Sequence, residues 1–458
     1  MARDIKKDTV RGEFRAREDR ILRIRTLLEG GLYTEMSALI RGMDPENVAD
    51  ILAEFSEDEK IHIFDVLDVE AAAVVLDDTD PQTRSIILQK FDRQKIARIL
   101  NEMPVDEAAD IIEEVSESER EGLLDLMEKE DAAEVEEILS YPEDSAGRMM
   151  NPDFAWVRSN DDVEDAIRHI RTETVDEDFF YAYVVDDSMK LEGVVPMKKF
   201  LLSPMGTSIK DIMDKDIHSV IVDTDQEQAA TIMKKFDLLS LPVTDADGKL
   251  VGRITADDII DVIEEERAED ISKMTGTIEE EQGTETTMVA AKNRLPWLIT
   301  CMLGSIITGL VIQMFEVTLT QMIILVSFIP VITATGGNSG VQASTVVVRG
   351  IAMGHMDFSK VGEEIWRQFK IAVSLGVVCS VVLTVLASVW KNNSSVGIIA
   401  GLSIFLVVVW SNFVGVTVPL MFKKLDIDPA LASGPLITTL NDIIGVFIYL
   451  GVATIVLS

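Results

Sequence analysis

The stretch Pro330–Arg349 reads PVITATGGNSGVQASTVVVR, and its reading decides what the C-terminal third of the chain is. It follows the hydrophobic run Met322–Ile329 and ends on the cation Arg349. Gly336, Gly337 and Gly340 are poor helix residues, and Pro330 lacks a backbone donor. Backbone that leaves a helix at membrane depth must be covered by protein or face water. A polar, glycine-rich break over Thr333–Gln342 would therefore be the wall of an aqueous pathway. The alternative is close helix packing through small residues. Asn338, Ser339 and Gln342 favour the pathway, because polar groups are expensive against lipid. On that reading Gly336, Gly337 and Asn338 are candidate lining residues.

Outward from this stretch the chain is apolar enough for five transmembrane helices, over Leu295–Phe315, Leu319–Ala343, Phe369–Trp390, Val396–Phe422 and Leu436–Leu457. Each approaches the ~20 residues needed to cross a bilayer. Loop cations fall on one side: Lys292 and Arg294, then Arg349, Lys360, Arg367 and Lys370, then Lys423 and Lys424. The other loops hold only Glu316 and Lys391. The positive-inside rule places the N-terminal part in the cytoplasm and the C-terminus outside, and the expected location is the plasma (inner) membrane, as a multi-pass protein.

One carboxylate sits well inside a span: Asp442, in LITTLNDIIGVFIYLG. An acidic residue at a helix centre costs about 2.5–3.5 kcal/mol on insertion scales, so it is by default functional. Thr438, Asp442 and Gly445 share one helical face, with Asn441 beside them. That face offers oxygens and room for a partly hydrated cation. The alternative is a structural hydrogen bond from Asp442 to a neighbouring helix. Asn412 is a second polar intrusion, either lining residue or partner. Gly415, Pro419 and Gly434-Pro435 point to bent helices.

Charge divides the chain. Residues 1–290 carry 33 Lys/Arg against 72 Asp/Glu, a net of −39, and the remainder carries 9 against 7, a net of +2. Such acidity argues against nucleic acid as a partner. It permits cation binding, although acidic faces also serve solubility. The two cysteines, Cys301 and Cys379, lie in apolar runs and indicate neither disulfides nor a thiolate metal site. The N-terminal MARDIKKDTV has no apolar core of a signal peptide.

Residues from about Arg20 to Ser140 read as short amphipathic helices with a repeat of 60 residues: Met43, Ala49-Asp50-Ile51 and Ser56-Glu57 recur as Met103, Ala109-Asp110-Ile111 and Ser116-Glu117. Repeated units of this kind stack into an α-superhelix. Ser56 and Ser116 are placed as helix N-caps, and the lone His62 reads as structural. From Gly147 to Glu266 a second repeat begins: Met150, Val157, Glu164 and Ala166 match Met213, Val220, Glu227 and Ala229. Val184, Asp186 and Gly193 match Val243, Asp245 and Gly252, and Asp247-Gly248 is a hairpin signal. The order of elements, with LPVTDADGKLVGRITADDII, resembles a tandem cystathionine-β-synthase-type (CBS) pair. That resemblance implies a regulatory α/β module that dimerises and leaves an adenine nucleotide, ATP, as a candidate ligand. Next, Thr255–Asp270 keeps an apolar stripe of Ile259, Val262 and Ile263 on an otherwise carboxylate-dense helix. Asp258/Asp261 and Glu266/Glu269 are like-charged neighbours that a hard cation would relieve. Without a cation the same run is a solvated face. A polar segment, Thr275–Thr287, leads on to the membrane.

The expected architecture is multidomain: an acidic α-helical superhelical N-domain (1–146), α/β tandem CBS domains (147–258), an acidic connecting helix and linker (259–290) and an α-helical transmembrane domain (291–458). Taken together with PVITATGGNSGVQASTVVVRG and DPALASGPLITTLNDIIG, this order resembles the MgtE family of magnesium channels over nearly the whole chain. The resemblance implies a homodimer with a pore on its two-fold axis, and Mg²⁺ as both substrate and regulator. By motif it makes Asp442 the pore carboxylate. It assigns intracellular Mg²⁺ to Asp258, Asp261, Glu266, Glu269 and Asp270 of the connecting helix, to Glu227 and Asp237 of the second CBS half, and to Asp106 of the N-domain. Val341 stands where the NSGNQ form of the motif has a polar residue. Two other readings remain: a coupled divalent-cation exchanger, and a membrane-anchored nucleotide or ion sensor without transport. No P-loop, DKTG motif or His/Cys cluster marks an enzyme.

Overall fold

The computed structural model describes residues 2–172, 179–277, 287–353, 356, 361–425, 427–432 and 434–458, with side chains described from Ala16 onward, Val289 excepted. Most of the expected polar linker and the loop cation Lys360 lie outside the described residues. The chain divides into two compact units, Met1–Ile263 and Glu264–Ser458.

The first unit begins with ten helices: α1 (Ala2–Glu29), α2 (Tyr33–Ile40), α3 (Pro45–Leu52), α4 (Glu57–Asp65), α5 (Val69–Asp78), α6 (Pro81–Lys90), α7 (Arg93–Leu100), α8 (Val105–Glu113), α9 (Glu117–Leu124) and α10 (Lys129–Ser140). Their starts are written locally. Ser56 and Ser116 form capping boxes with Glu59 and Glu119, Asp68 and Asp80 accept from the backbone of Ala71 and Thr83, and Pro45 and Pro81 open their helices. Helices this short are marginal alone, so packing holds them: α3 lies on α5, α5 on α7, α7 on α9 and α4 on α6. The repeat explains this stacking. Ala49 and Ile51 are buried, as are their counterparts Ala109 and Ile111.

Two copies of a three-stranded sheet follow. β1 (Trp156–Arg158) pairs parallel with β2 (Tyr181–Val185), which pairs antiparallel with β3 (Leu191–Pro196). β4 (Val220–Ile221), β5 (Ser240–Thr244) and β6 (Leu250–Thr255) repeat that order. The helices α11 (Val163–Thr172) and α12 (Gln226–Phe236) make the parallel crossovers. The repeated glycines have one job in each half. A Cβ at Gly193 would lie 2.8 Å from the sulfur of Met213, and one at Gly252 2.7 Å from that of Met150. Asp247-Gly248 turns the β5–β6 hairpin, with Gly248 at φ 81°. A long helix (Ala256–Thr275), here called the connecting helix, continues directly from β6, and the boundary between the two units falls inside it.

Among the described residues the second unit holds five helices long and apolar enough to cross a membrane, over Ala290–Met314, Ile323–Ala352, Val361–Lys391, Ser394–Lys424 and Gly434–Leu457. They are named M1 to M5 below. M4 is the most enclosed, and M2, M3 and M5 all pack on it. M2 differs from expectation in two ways. Its α-helix runs from Ile329 to Ala352 rather than over Leu319–Ala343, preceded by a short helix (Glu316–Gln321) and a 3₁₀ segment (Ile323–Phe328). Pro330 is the reason: in the first helical turn its missing N–H costs nothing, so it starts the helix. The second correction is that M2 is unbroken through Thr333–Gln342. M4 likewise continues through Gly415 and Pro419.

Candidate functional site

Helical spacing sorts the side chains of M5. Ile437, Asn441, Gly445, Tyr449 and Ala453 form the buried stripe, one residue in four. Thr438 and Asp442 lie beside that stripe and are half-buried. Among the described residues no cation and no hydrogen-bond donor compensates the Asp442 carboxylate. Among the described residues, the alternative of a structural hydrogen bond from Asp442 to a neighbouring helix has no partner.

Two expected lining residues on this helix are corrected. Gly445 is buried against Val407 of M4, and Asn441 is fully buried with neither amide atom hydrogen-bonded among the described residues. Both face the interior of the protomer, because they sit on the packing stripe rather than next to it.

M2 shows the same division. Gly336 is buried against Val407 and Ser411, Gly340 against Asn441 and Ile437, and Gly337 against Thr438. These glycines bring backbones together, the small-residue packing typical of membrane helices. Gly336 and Gly337 are thus packing residues in this protomer, not lining ones. Asn338 is exposed, on a face shared with Val331, Ala334, Gln342, Val346 and Arg349. Asn412 proves to be a partner: its amide donates to Ser339 Oγ (2.5 Å) and to the Val408 carbonyl (2.9 Å).

The acidic candidates of the first unit fall in different settings. Asp258 is partly buried and accepts from the backbone N–H and hydroxyl of Thr255 (2.8 and 2.5 Å), capping the connecting helix. Burial pushes its carboxyl up, Thr255 opposes that, and Asp257 and Asp261 add to it. Across from it stand two carboxylates that the sequence reading missed, Asp77 and Asp78 of α5. Burial, chiefly, pushes Asp77 up to about 6, with Asp78, Asp261 and Asp258 adding to the shift and Arg84 opposing it. Asp78 is raised by burial and by Glu46, Asp50 and Asp261. The signal was available only in three dimensions, since Asp77 and Asp258 are 181 positions apart in the chain. Among the described residues no three His, Cys, Asp or Glu side chains converge as a ready metal cage.

Asp106 is buried and accepts from Asn151 Nδ2 (3.2 Å), while Arg148 reaches Asp110 (3.2 Å) and Glu113 (2.5 Å). The N-terminal helices and the CBS pair are thus joined at α8 by side chains of the chain itself. Glu227 is exposed in the first turn of α12, whose N-terminus is capped by Asp225. Asp237 ends the same helix in the left-handed conformation (φ 51°), exposed and at the negative pole of the helix dipole. Glu266, Glu269 and Asp270 follow on the connecting helix in the second unit, each half-buried.

Comparison with known proteins agrees with this layout. A family described as a divalent cation transporter matches residues 329–452, the MgtE intracellular N domain matches 43–144, and the CBS domain matches 146–205 and 209–265. The chain is 35% identical over 332 residues to the magnesium transporter MgtE of Bacillus subtilis, covering 72% of this chain and 74% of that one. It is 35% identical over 343 residues to the protein of the same name from Thermus thermophilus, covering 73% and 75%. Among solved structures, the soluble part of a magnesium transporter aligns with a TM-score of 0.50 at 28% identity, over 55% of this chain and 99% of that one. The cytosolic domain of the Mg²⁺ channel MgtE in complex with ATP aligns with a TM-score of 0.51 at 29% identity, over 53% and 99%. The helical N-domain, the CBS pair, the five apolar helices and this degree of identity lead to one conclusion: the chain belongs to the MgtE family of divalent cation transporters.

Proposed function

We propose that the protein is a homodimeric magnesium channel of the plasma membrane, gated by cytoplasmic Mg²⁺. The observation that carries this reading is the uncompensated, half-buried carboxylate of Asp442 in a bilayer-length helix. Mg²⁺ dehydrates reluctantly and keeps octahedral oxygen coordination. A pore that passes it needs fixed negative charge and room for retained water, not a full protein cage. Two copies of Asp442 about a two-fold axis supply the charge, and Asn338 and Thr438 supply neutral oxygens near it. Membrane potential drives entry at ~2.3 kcal/mol per charge per 100 mV. Relatives named as magnesium transporters support Mg²⁺ as the ion.

The gauge is electrostatic. Asp77 and Asp78 repel Asp258 and Asp261, and a cation between them lowers that repulsion. Glu266, Glu269 and Asp270 extend the acidic surface along the connecting helix, and Glu227, Asp237 and Asp106 are the remaining candidate sensors. High internal Mg²⁺ draws these groups together and closes the pore. ATP is the proposed second ligand, at the CBS pair, by analogy with the ATP-bound relative. The C-terminus lies outside.

Complementation tests the pore. In a cell lacking its own magnesium uptake, the wild-type chain restores growth in low Mg²⁺ and D442A, expressed to the same level in the membrane, does not. Full rescue by D442A removes Asp442 from the pathway. Uptake into liposomes driven by a Mg²⁺ gradient alone separates a channel from a coupled exchanger.

A further inference from the structure

A cavity of about 360 Å³ lies between M3 and M4, within the second unit. Gly362, Trp366 and Phe369 line it from M3, and Val409, Phe413 and Val416 from M4. Its rim is aromatic: Trp366, Phe369 and Phe413 are 59%, 40% and 47% exposed, and the Trp366 and Phe369 rings stack at 5.4 Å. Two buried amides, Gln368 and Asn412, complete the lining. Both spend their nitrogens inside the protein, Gln368 on Glu364 (2.9 Å) and Asn412 on Ser339 and Val408. A water needs two to four polar partners, which walls of this kind do not offer. An apolar pocket of this size is instead the usual form of a site for an apolar ligand.

Depth and charge narrow the occupant. The charges in the first turns of M3 end at Lys370, and the apolar run begins at Ile371. The cavity residues of M3 therefore lie at headgroup depth, where exposed tryptophan is favoured. Arg367 is paired with Glu364 (2.7 Å), so these two charges cancel. Lys370 folds back one turn over the Trp366 ring, 5.9 Å from its centroid, and makes no ion pair among the described residues. Lys423 falls on the cavity face of M4, two turns past Val416, with Lys424 beside it, and both are exposed. Against these three cations, the described residues of the two helix ends set the exposed carboxylate of Glu363. The surplus at the mouth is positive, and the space behind it is apolar.

We propose that this cavity is a binding site for one anionic phospholipid per chain. An acyl chain lies between the aromatic rim and the M4 valines, and the phosphate meets Lys370 and Lys423. Asn412 is both a wall of the cavity and the residue that bonds Ser339 of M2, so the bound lipid becomes part of the contact between M2 and M4. The site is separate from the proposed conduction path and does not depend on it.

The test is lipid retention by the full-length protein in nonionic detergent, read by native mass spectrometry during titration with phosphatidylglycerol and, separately, phosphatidylcholine. The wild type retains one phosphatidylglycerol per chain and holds it at least about tenfold more tightly than phosphatidylcholine. K370M weakens phosphatidylglycerol about fivefold and K370M/K423M about thirtyfold, the effect of one and two lysines at an anionic headgroup. Phosphatidylcholine is held equally by all three. G362L fills the cavity from its own wall. An added Cβ there meets nothing within 4 Å among the described residues, so G362L keeps the wild-type thermal midpoint while losing the lipid. Equal retention of the two lipids by the wild type overturns the site, since that is a nonspecific annulus. Wild-type phosphatidylglycerol affinity in both K370M/K423M and G362L overturns it as well. So does a wild type that retains no phosphatidylglycerol while W366C forms disulfides between copies, because a second copy then covers the rim.

Discussion

Asn412 of M4 donates its amide to Ser339 Oγ of M2 at 2.5 Å, and both residues are buried. The bond crosses two helices that share glycine contacts, with Gly415 packed on the Gly340 carbonyl. Hydrogen bonds between membrane helices contribute about 0.6 kcal/mol on average and at most about 1.7. N412A also leaves a gap, so the expected loss is roughly 1–2 kcal/mol. A lower thermal midpoint of the detergent-solubilised protein checks it. An unchanged midpoint would mean that the amide carries no load.

The glycine contacts make a sharper contrast. A Cβ at Gly415 would meet the Gly340 carbonyl and lie 3.1 Å from Ala343 Cβ, whereas among the described residues nothing lies within 4 Å of one at Gly309 on M1. G415A must push M2 and M4 apart, at a cost of about 1–3 kcal/mol. G309A has no such contact to disturb. Size-exclusion profiles after mild heating should show early aggregation of G415A only. Equal behaviour of the two variants would show that the M2–M4 contact yields easily.

Much of this architecture could be read from the chain, because it is written in periodicity and local capping. Ser56 and Ser116 announced their helices, and the matched glycines Gly193 and Gly252 announced the doubled sheet. The misreadings share one cause. Gly336, Gly337, Asn441 and Gly445 look alike whether a helix face meets water or another helix, and only the packed neighbour decides. Pro330 was ambiguous in the same way, since a proline that breaks a helix and one that begins it differ only by what precedes them. Asp77 and Asp78 were silent for a different reason. Nothing in VVLDDTD distinguishes them from other surface carboxylates until α5 is set beside the connecting helix.

The burial and like charges around Asp77 predict an unusual dependence on pH. Its carboxyl is raised from an ordinary 3.8 to about 6 in the folded chain. The folded state therefore binds the extra proton between those values, and stability rises as pH falls through that window. Above about 6 the penalty is fully present; below about 4 it is gone. D77N removes it, so the variant is more stable than wild type at pH 7.5 by on the order of 3 kcal/mol, and equal to it near pH 4. Hydrogen exchange of the α5 amides in the full-length protein reads the effect locally. A D77N advantage that persists undiminished at pH 4 would refute the titration argument.

Arg148 predicts which face of the N-terminal helices stays insensitive to Mg²⁺. Its guanidinium is 7% exposed and lies against Asp110 and Glu113 of α8, so this contact already holds its own cation. The contact between α5 and the connecting helix has excess negative charge instead. Adding Mg²⁺ to the wild type should slow exchange in α5 and leave the end of α8 that faces Arg148, around Asp110 and Glu113, unchanged. R148M removes the cation from a partly buried contact that holds two carboxylates, at a cost of roughly 1–3 kcal/mol. Exchange in α8 then accelerates by about tenfold per 1.4 kcal/mol, and Mg²⁺ should restore part of the protection. If wild-type α8 responds to Mg²⁺ as strongly as α5 does, the arginine is not acting as the resident cation of that contact.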